Sequence, residues 1–117
     1  MYRYFNANPY NHNIEDCTIR AISVAEGISW DEAYDLLSDS ARDLGFMLSD
    51  VRAIEQFLDL RYYRVPIEEK TVGEFIKNHK KGTYLITMPG HITVVKNSIN
   101  YDTFNSSKRP IWSAWSV

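Results

Sequence analysis

A chain of 117 residues is one domain by length and long enough to bury a single hydrophobic core. Apolar residues at 44% and charged residues at 24% give the composition of an ordinary globular protein. The formal charge of -2 comes from scattered residues, the longest basic run being Lys80-Lys81, which excludes the electropositive stripe that nucleic-acid binding needs. A single cysteine excludes an intramolecular disulfide and a Cys-based zinc cage, and fits a reducing compartment. No signal peptide is expected, because Met1 to Asn6 leads into polar residues, and no stretch is long and apolar enough for a membrane span. The expected address is the cytoplasm.

Residues 1–15, rich in Asn, Tyr and Pro, read as an extended or looped arm. Asp16 then reads as the cap of a helix over about 17–26, with Ile19, Ile22 and Ala25 at helical spacing and Gly27 ending it. Ser29 and Glu32 form a capping box that opens a second helix to about residue 40, with Ala33, Leu36 and Leu37 facing inward. A third helix starts at Ser49-Asp50 and carries Val51, Ile54, Phe57 and Leu58 on one stripe.

The second half changes period. Residues 61–65 favour a strand that stops at Pro66. Thr71 and Glu74 suggest another capping box, opening a short helix that Gly82 closes. Residues 83–88, 91–96 and 99–104 read as three strands joined by turns at Pro89-Gly90 and Asn97-Ser98, with a last strand over 111–115. The expectation is therefore an α+β fold of N-terminal helices packed on a C-terminal antiparallel sheet, with no internal repeat or linker.

Cys17 falls in the first turn of the first expected helix, where unpaired N–H groups and the helix dipole lower a thiol's pKa. The rival reading is a small buried side chain that happens to open a helix. Its weight depends on whether a base and an orienting group reach it. His79 sits beside two lysines at a helix end, and His12 lies in the arm with no ordered element to hold it. His91 begins a strand whose alternation puts His91, Thr93 and Val95 on one face. If Asn97-Ser98 is a two-residue hairpin turn, Lys96 pairs with Ile99 and His91 pairs with Phe104. Asp102 then lies opposite Thr93, one diagonal step from His91, at roughly 7 Å between Cβ atoms. That suits a base and the carboxylate that fixes its tautomer. The rival is a surface His beside a hairpin Asp. His12, Cys17, His91 and Asp102 could also make a mixed zinc set, but they lack the short ligand spacing of metal sites, so neither a metal nor a cofactor is expected.

Asp16-Cys17 opening a helix, Gly90-His91 before a hydrophobic strand, and an Asp on the next strand resemble the papain-like cysteine peptidases, nearest in pattern to the bacteriocin-processing peptidase domains. Over nearly the whole chain, Asn8-Pro9, Asp16 to Ile22, Ser29 to Tyr34, Gly90 to Val95 and Tyr101 to Phe104 are similar to small proteins encoded by phages and prophages. The resemblance implies one minimal papain-like domain over 1–117 with Cys17 as nucleophile, His91 as general base and acid, and Asp102 as orienter. The peptidases carry a Gln six residues before the Cys as oxyanion donor. Asn11 stands there in this chain, with Asn13 a competing donor. The implied activity is acyl-transfer chemistry on an amide, isopeptide or thioester of a protein or peptide, a host protein among the candidates, in the host cytoplasm if the protein is phage-encoded. The alternative is a weak or inactive peptidase-fold protein that binds and inhibits a host factor.

Overall fold

The arm expected to be extended or looped opens on a strand: β1 (Tyr2–Tyr4) lies parallel to the later strand over residues 99–102, with Tyr2 opposite Asn100 and Tyr4 opposite Asp102. The computed structural model describes residues 1–117. Three residues are too few for alternation to register, and this strand is held from outside. The amide of Asn100 donates to the Met1 carbonyl at 2.7 Å, and that of Phe5 donates to the Asp102 carbonyl at 2.9 Å.

The helices follow their capping chemistry. Helix α1 (Cys17–Glu26) buries Ile19, Ala21, Ile22 and Ala25 and ends at Gly27, whose φ of 67° is the left-handed cap that glycine reaches without strain. Helix α2 (Trp30–Leu44) opens on the complete Ser29–Glu32 capping box and runs about a turn beyond the expected end, because Ala41 continues its buried stripe. Helix α3 (Val51–Arg61) is capped by Asp50, whose carboxylate accepts from the Arg52 amide. Strand β2 (Tyr63–Val65) follows, and then helix α4 (Val72–Asn78). Thr71 accepts from the Glu74 amide, but the Glu74 carboxylate turns to the Lys70 amide, so only half of the expected box forms. This helix stops before Gly82, at His79.

Strands β3 (Thr83–Met88), β4 (His91–Lys96) and β5 (Ile99–Asp102) form the expected meander, and β6 (Ser113–Ser116) returns beside β3. The six strands stand in the order β1-β5-β4-β3-β6-β2. All pairs are antiparallel except β1–β5, so the sheet is mixed rather than wholly antiparallel. The fold is α+β.

Alternation along the central strands gives the sheet two cores. Leu85, Ile92, Val94 and Trp115 pack with Ile22, Leu37 and Leu58 of α1, α2 and α3. Ile86, Met88, Val95 and Ala114 pack with Val72, Phe75 and Ile76 of α4. Both faces of the centre are therefore dry. Helix α1 packs against β4, and this contact brings Cys17 to the sheet.

Candidate functional site

Cys17 is the first residue of α1, half-buried against the larger core. Asp16 precedes it at the cap position, but its carboxylate makes no bond to the helix amides. It accepts instead from Arg20 Nε at 2.8 Å, Trp30 Nε1 at 2.9 Å and Asn8 Nδ2 at 3.3 Å. The first N–H groups of α1 thus carry no side-chain cap, and the positive end of the helix stays open next to the thiol.

His91 enters β4 from the Pro89–Gly90 turn, where Gly90 has a φ of 69°, and stands opposite Met88. Asp102 is the last residue of β5. Lys96 pairs with Ile99 and Val94 with Tyr101, the register expected of a two-residue turn, and Asn97 and Ser98 take the positive φ values that such a turn requires. The imidazole Nε2 lies 2.8 Å from Asp102 Oδ2. With that nitrogen engaged, Nδ1 is the one open to the thiol.

Buried at 3% exposure, the Asp102 carboxylate is fully supplied with donors. Thr93 Oγ1 donates to Oδ2 at 2.6 Å; the Thr103 amide and Arg20 Nη1 donate to Oδ1 at 2.7 and 3.0 Å. Burial pushes its pKa up, but the hydrogen bonds from His91 and Thr93, the His91 charge and the Thr103 amide outweigh that and hold it below the usual value. Thr93 in turn accepts from Asn100 Nδ2 at 2.7 Å.

The same balance governs the other two groups. Burial disfavours the imidazolium of His91, yet its hydrogen bond with Asp102, the neighbouring Cys17 thiol and the charges of both raise its pKa to about 9. Burial would raise the Cys17 thiol. The neighbouring His91 ring, the polar Ile92 backbone, and the charges of His91 and Arg20 bring it below its ordinary value. These opposed shifts favour a thiolate–imidazolium pair, the reactive form of a cysteine nucleophile. Phe104 lies beyond the end of β5 rather than in it, but its ring still covers the imidazole at 4.6 Å between centroids. The His91 side chain is left only 7% exposed.

Cys17, His91 and Asp102 are thus brought together at one end of the β4–β5 pair. Asn11 is not joined to them by any hydrogen bond. It is exposed on the arm at a φ of 54°, with its Oδ1 accepting from Asn6 at 3.4 Å. Asn13 is exposed as well. His12 packs on Tyr10 at 5.8 Å, and His79 stacks on Phe75 at 3.8 Å with Nδ1 at 2.9 Å from the Phe75 carbonyl oxygen. No group of three or more His, Cys, Asp or Glu side chains is arranged to hold a metal ion. Two surface clefts, one between α2 and α3 and one beside the C-terminal end of α1, are lined by neither Cys17 nor His91.

Sequence reasoning missed Arg20, Thr93 and Asn100. A signal existed for two of them: Arg20 is four residues after Asp16 on α1, and Thr93 shares the alternating face of His91. Nothing in the local pattern marks Asn100, whose amide is placed by the hairpin register. No known protein family, curated protein or solved structure matches the chain.

Proposed function

We propose that the protein is a papain-like cysteine hydrolase acting on an amide or isopeptide bond of a protein or peptide. The observation that supports this is the pairing of a lowered thiol at a helix start with an imidazole whose far nitrogen is held by a buried, ionised carboxylate. In this reading the Cys17 thiolate attacks the carbonyl carbon, and the His91 Nδ1–H protonates the departing amine as the carbon–nitrogen bond breaks. The neutral imidazole then takes a proton from water, whose oxygen adds to the thioester. The tetrahedral adduct expels the thiolate and restores the ion pair. Asp102 holds the ring and stabilises the imidazolium without itself taking the proton. The Cys17 amide and the side chain of Asn11 are the oxyanion donors of this reading.

The pH dependence of alkylation tests it. Iodoacetamide should label Cys17 well below the pH at which an ordinary thiol ionises, and His91→Ala should return the reaction to ordinary thiol behaviour. Identical profiles for the two proteins would sink the proposal.

One observation favours a second reading, a weak or inactive peptidase fold that binds a host factor. The arm carrying Asn11 has its amide oxygen turned to Asn6, and no hydrogen bond ties it to the nucleophile. Cys17→Ser separates the two readings. Abolished turnover with retained folding supports catalysis, whereas an unchanged biological effect supports binding.

A further inference from the structure

We infer that Arg20 is a positioning residue that holds the nucleophile's helix to the orienting aspartate and balances the charge of two buried carboxylates beside the thiol. The inference rests on the catalytic reading of the Cys17 site and extends it. Arg20 sits one helical turn after Cys17, and its side chain is only 12% exposed. Its guanidinium is divided between two partners: Nε meets Asp16 Oδ1 at 2.8 Å, and Nη1 meets Asp102 Oδ1 at 3.0 Å. Both carboxylates are buried, at 4% and 3% exposure. A planar fork can bridge two separate carboxylates in this way, whereas a point charge on a flexible stem reaches one of them well.

The charges nearby define what Arg20 does. From α1 come Cys17 and Arg20 itself, from its cap position Asp16, from β4 His91, and from β5 Asp102. On β1, Tyr2 donates its hydroxyl to the Asp102 carbonyl. Two buried carboxylates against one guanidinium leave a negative charge that His91 balances by staying protonated. A thiolate adds a further negative charge to this set. Without Arg20 the thiolate would form beside two carboxylates and a single imidazolium, and like charges in a dry site disfavour ionisation. Arg20 also keeps Asp16 off the amides of α1, so the open helix end remains available to the thiolate.

The test is the pH profile of Cys17 alkylation by iodoacetamide, which needs no substrate. Arg20→Gln should shift the acid limb upward by about one pH unit, a roughly tenfold lower rate at pH 6. Arg20→Lys keeps the charge and should return most of that rate while melting below the wild type. Adding Asp16→Asn to Arg20→Gln removes one of the carboxylates and should move the limb back down. A purely structural Arg20 would lower the melting temperature with the limb unmoved, or leave the double variant no better than Arg20→Gln, and either result overturns the inference. His91→Ala keeps the two proposals apart. If it moves the limb and Arg20→Gln does not, only the role of Arg20 fails; if neither moves it, the catalytic reading fails with it.

Discussion

Replacing Asp102 by Asn removes a charge from a place where almost no water can replace it. The imidazole of His91 rises from its ordinary 6.5 to about 9. At 1.36 kcal/mol per unit, that shift is worth ~3 kcal/mol of preference for the imidazolium. Burial opposes the shift, Asp102 supplies the leading favourable hydrogen bond and its charge as well, and Cys17 adds to both. Asn preserves the volume of the side chain and an oxygen for the ring N–H, so the imidazole keeps its place and loses the charge beside it. Burial and the Cys17 contact remain. The His91 titration should therefore fall by at least about one unit.

The consequence for stability has a definite sign. A group whose pKa is raised on folding contributes stability that is complete below its unfolded value of about 6.5 and lost as pH rises through about 9. The lowered Cys17 thiol works the other way. Its contribution is present above the ordinary thiol value and lost as pH falls through the folded one, so the two slopes oppose each other. A Cys17→Ser background removes the second slope. In that background His91 keeps only the Asp102 part of its shift, so stability should decline from about pH 6.5 toward an upper limit below 9, and adding Asp102→Asn should flatten the decline. The direct assay is the NMR titration of the His91 ring protons in Asp102→Asn; urea unfolding followed by the fluorescence of buried Trp115 gives the stability. An imidazole still titrating near pH 9 without the carboxylate would refute the assignment of the shift to Asp102.

Two further outcomes follow from the hydrogen bonds around the site. Thr93→Val keeps the shape of the side chain but removes the donor to Asp102 and the acceptor for Asn100, whose Oδ1 already has no partner. It should cost about 1–3 kcal/mol by urea unfolding, with a raised Asp102 pKa, and an unchanged midpoint would remove Thr93 from the network. Asn11→Ala should lower turnover about a hundredfold while leaving Cys17 alkylation unchanged, because an oxyanion donor acts on the tetrahedral adduct and not on the thiol. Undiminished turnover would take Asn11 out of the oxyanion site.

The parts of the fold legible in the sequence are those whose signals are local. Ser29 and Glu32 cap α2 from within one turn, and Gly27 ends α1 through its own φ value. Asn97 and Ser98 set a hairpin register between neighbouring strands, which is why the His91–Asp102 pair could be placed from residues eleven apart. The illegible parts depend on elements distant in the chain. Strand β1 exists because β5 offers it an edge, and its three residues carry too little pattern of their own. Asp16 shows the same limit. By type and position it should cap α1, since a carboxylate there normally accepts from the second or third helix amide. Arg20, Trp30 and Asn8 reach it first, two of them from outside the helix.

This diversion explains how a tied-down helix start and uncapped helix amides coexist at the same place. A capped α1 would gain about 1 kcal/mol of helix stability and set a competing carboxylate against the amides next to Cys17. Turned onto Arg20, the same carboxylate leaves those amides open, and Arg20 carries the connection to Asp102 on β5. Helix α1, which carries Cys17, is then fixed to the strand that carries Asp102 by charged hydrogen bonds at 12% or less exposure, where salt screens them little. The hairpin could be foreseen with His91 and Asp102 on it. That α1 would be tied to it through Arg20 could not, because the tie spans 82 residues and no spacing rule reaches that far.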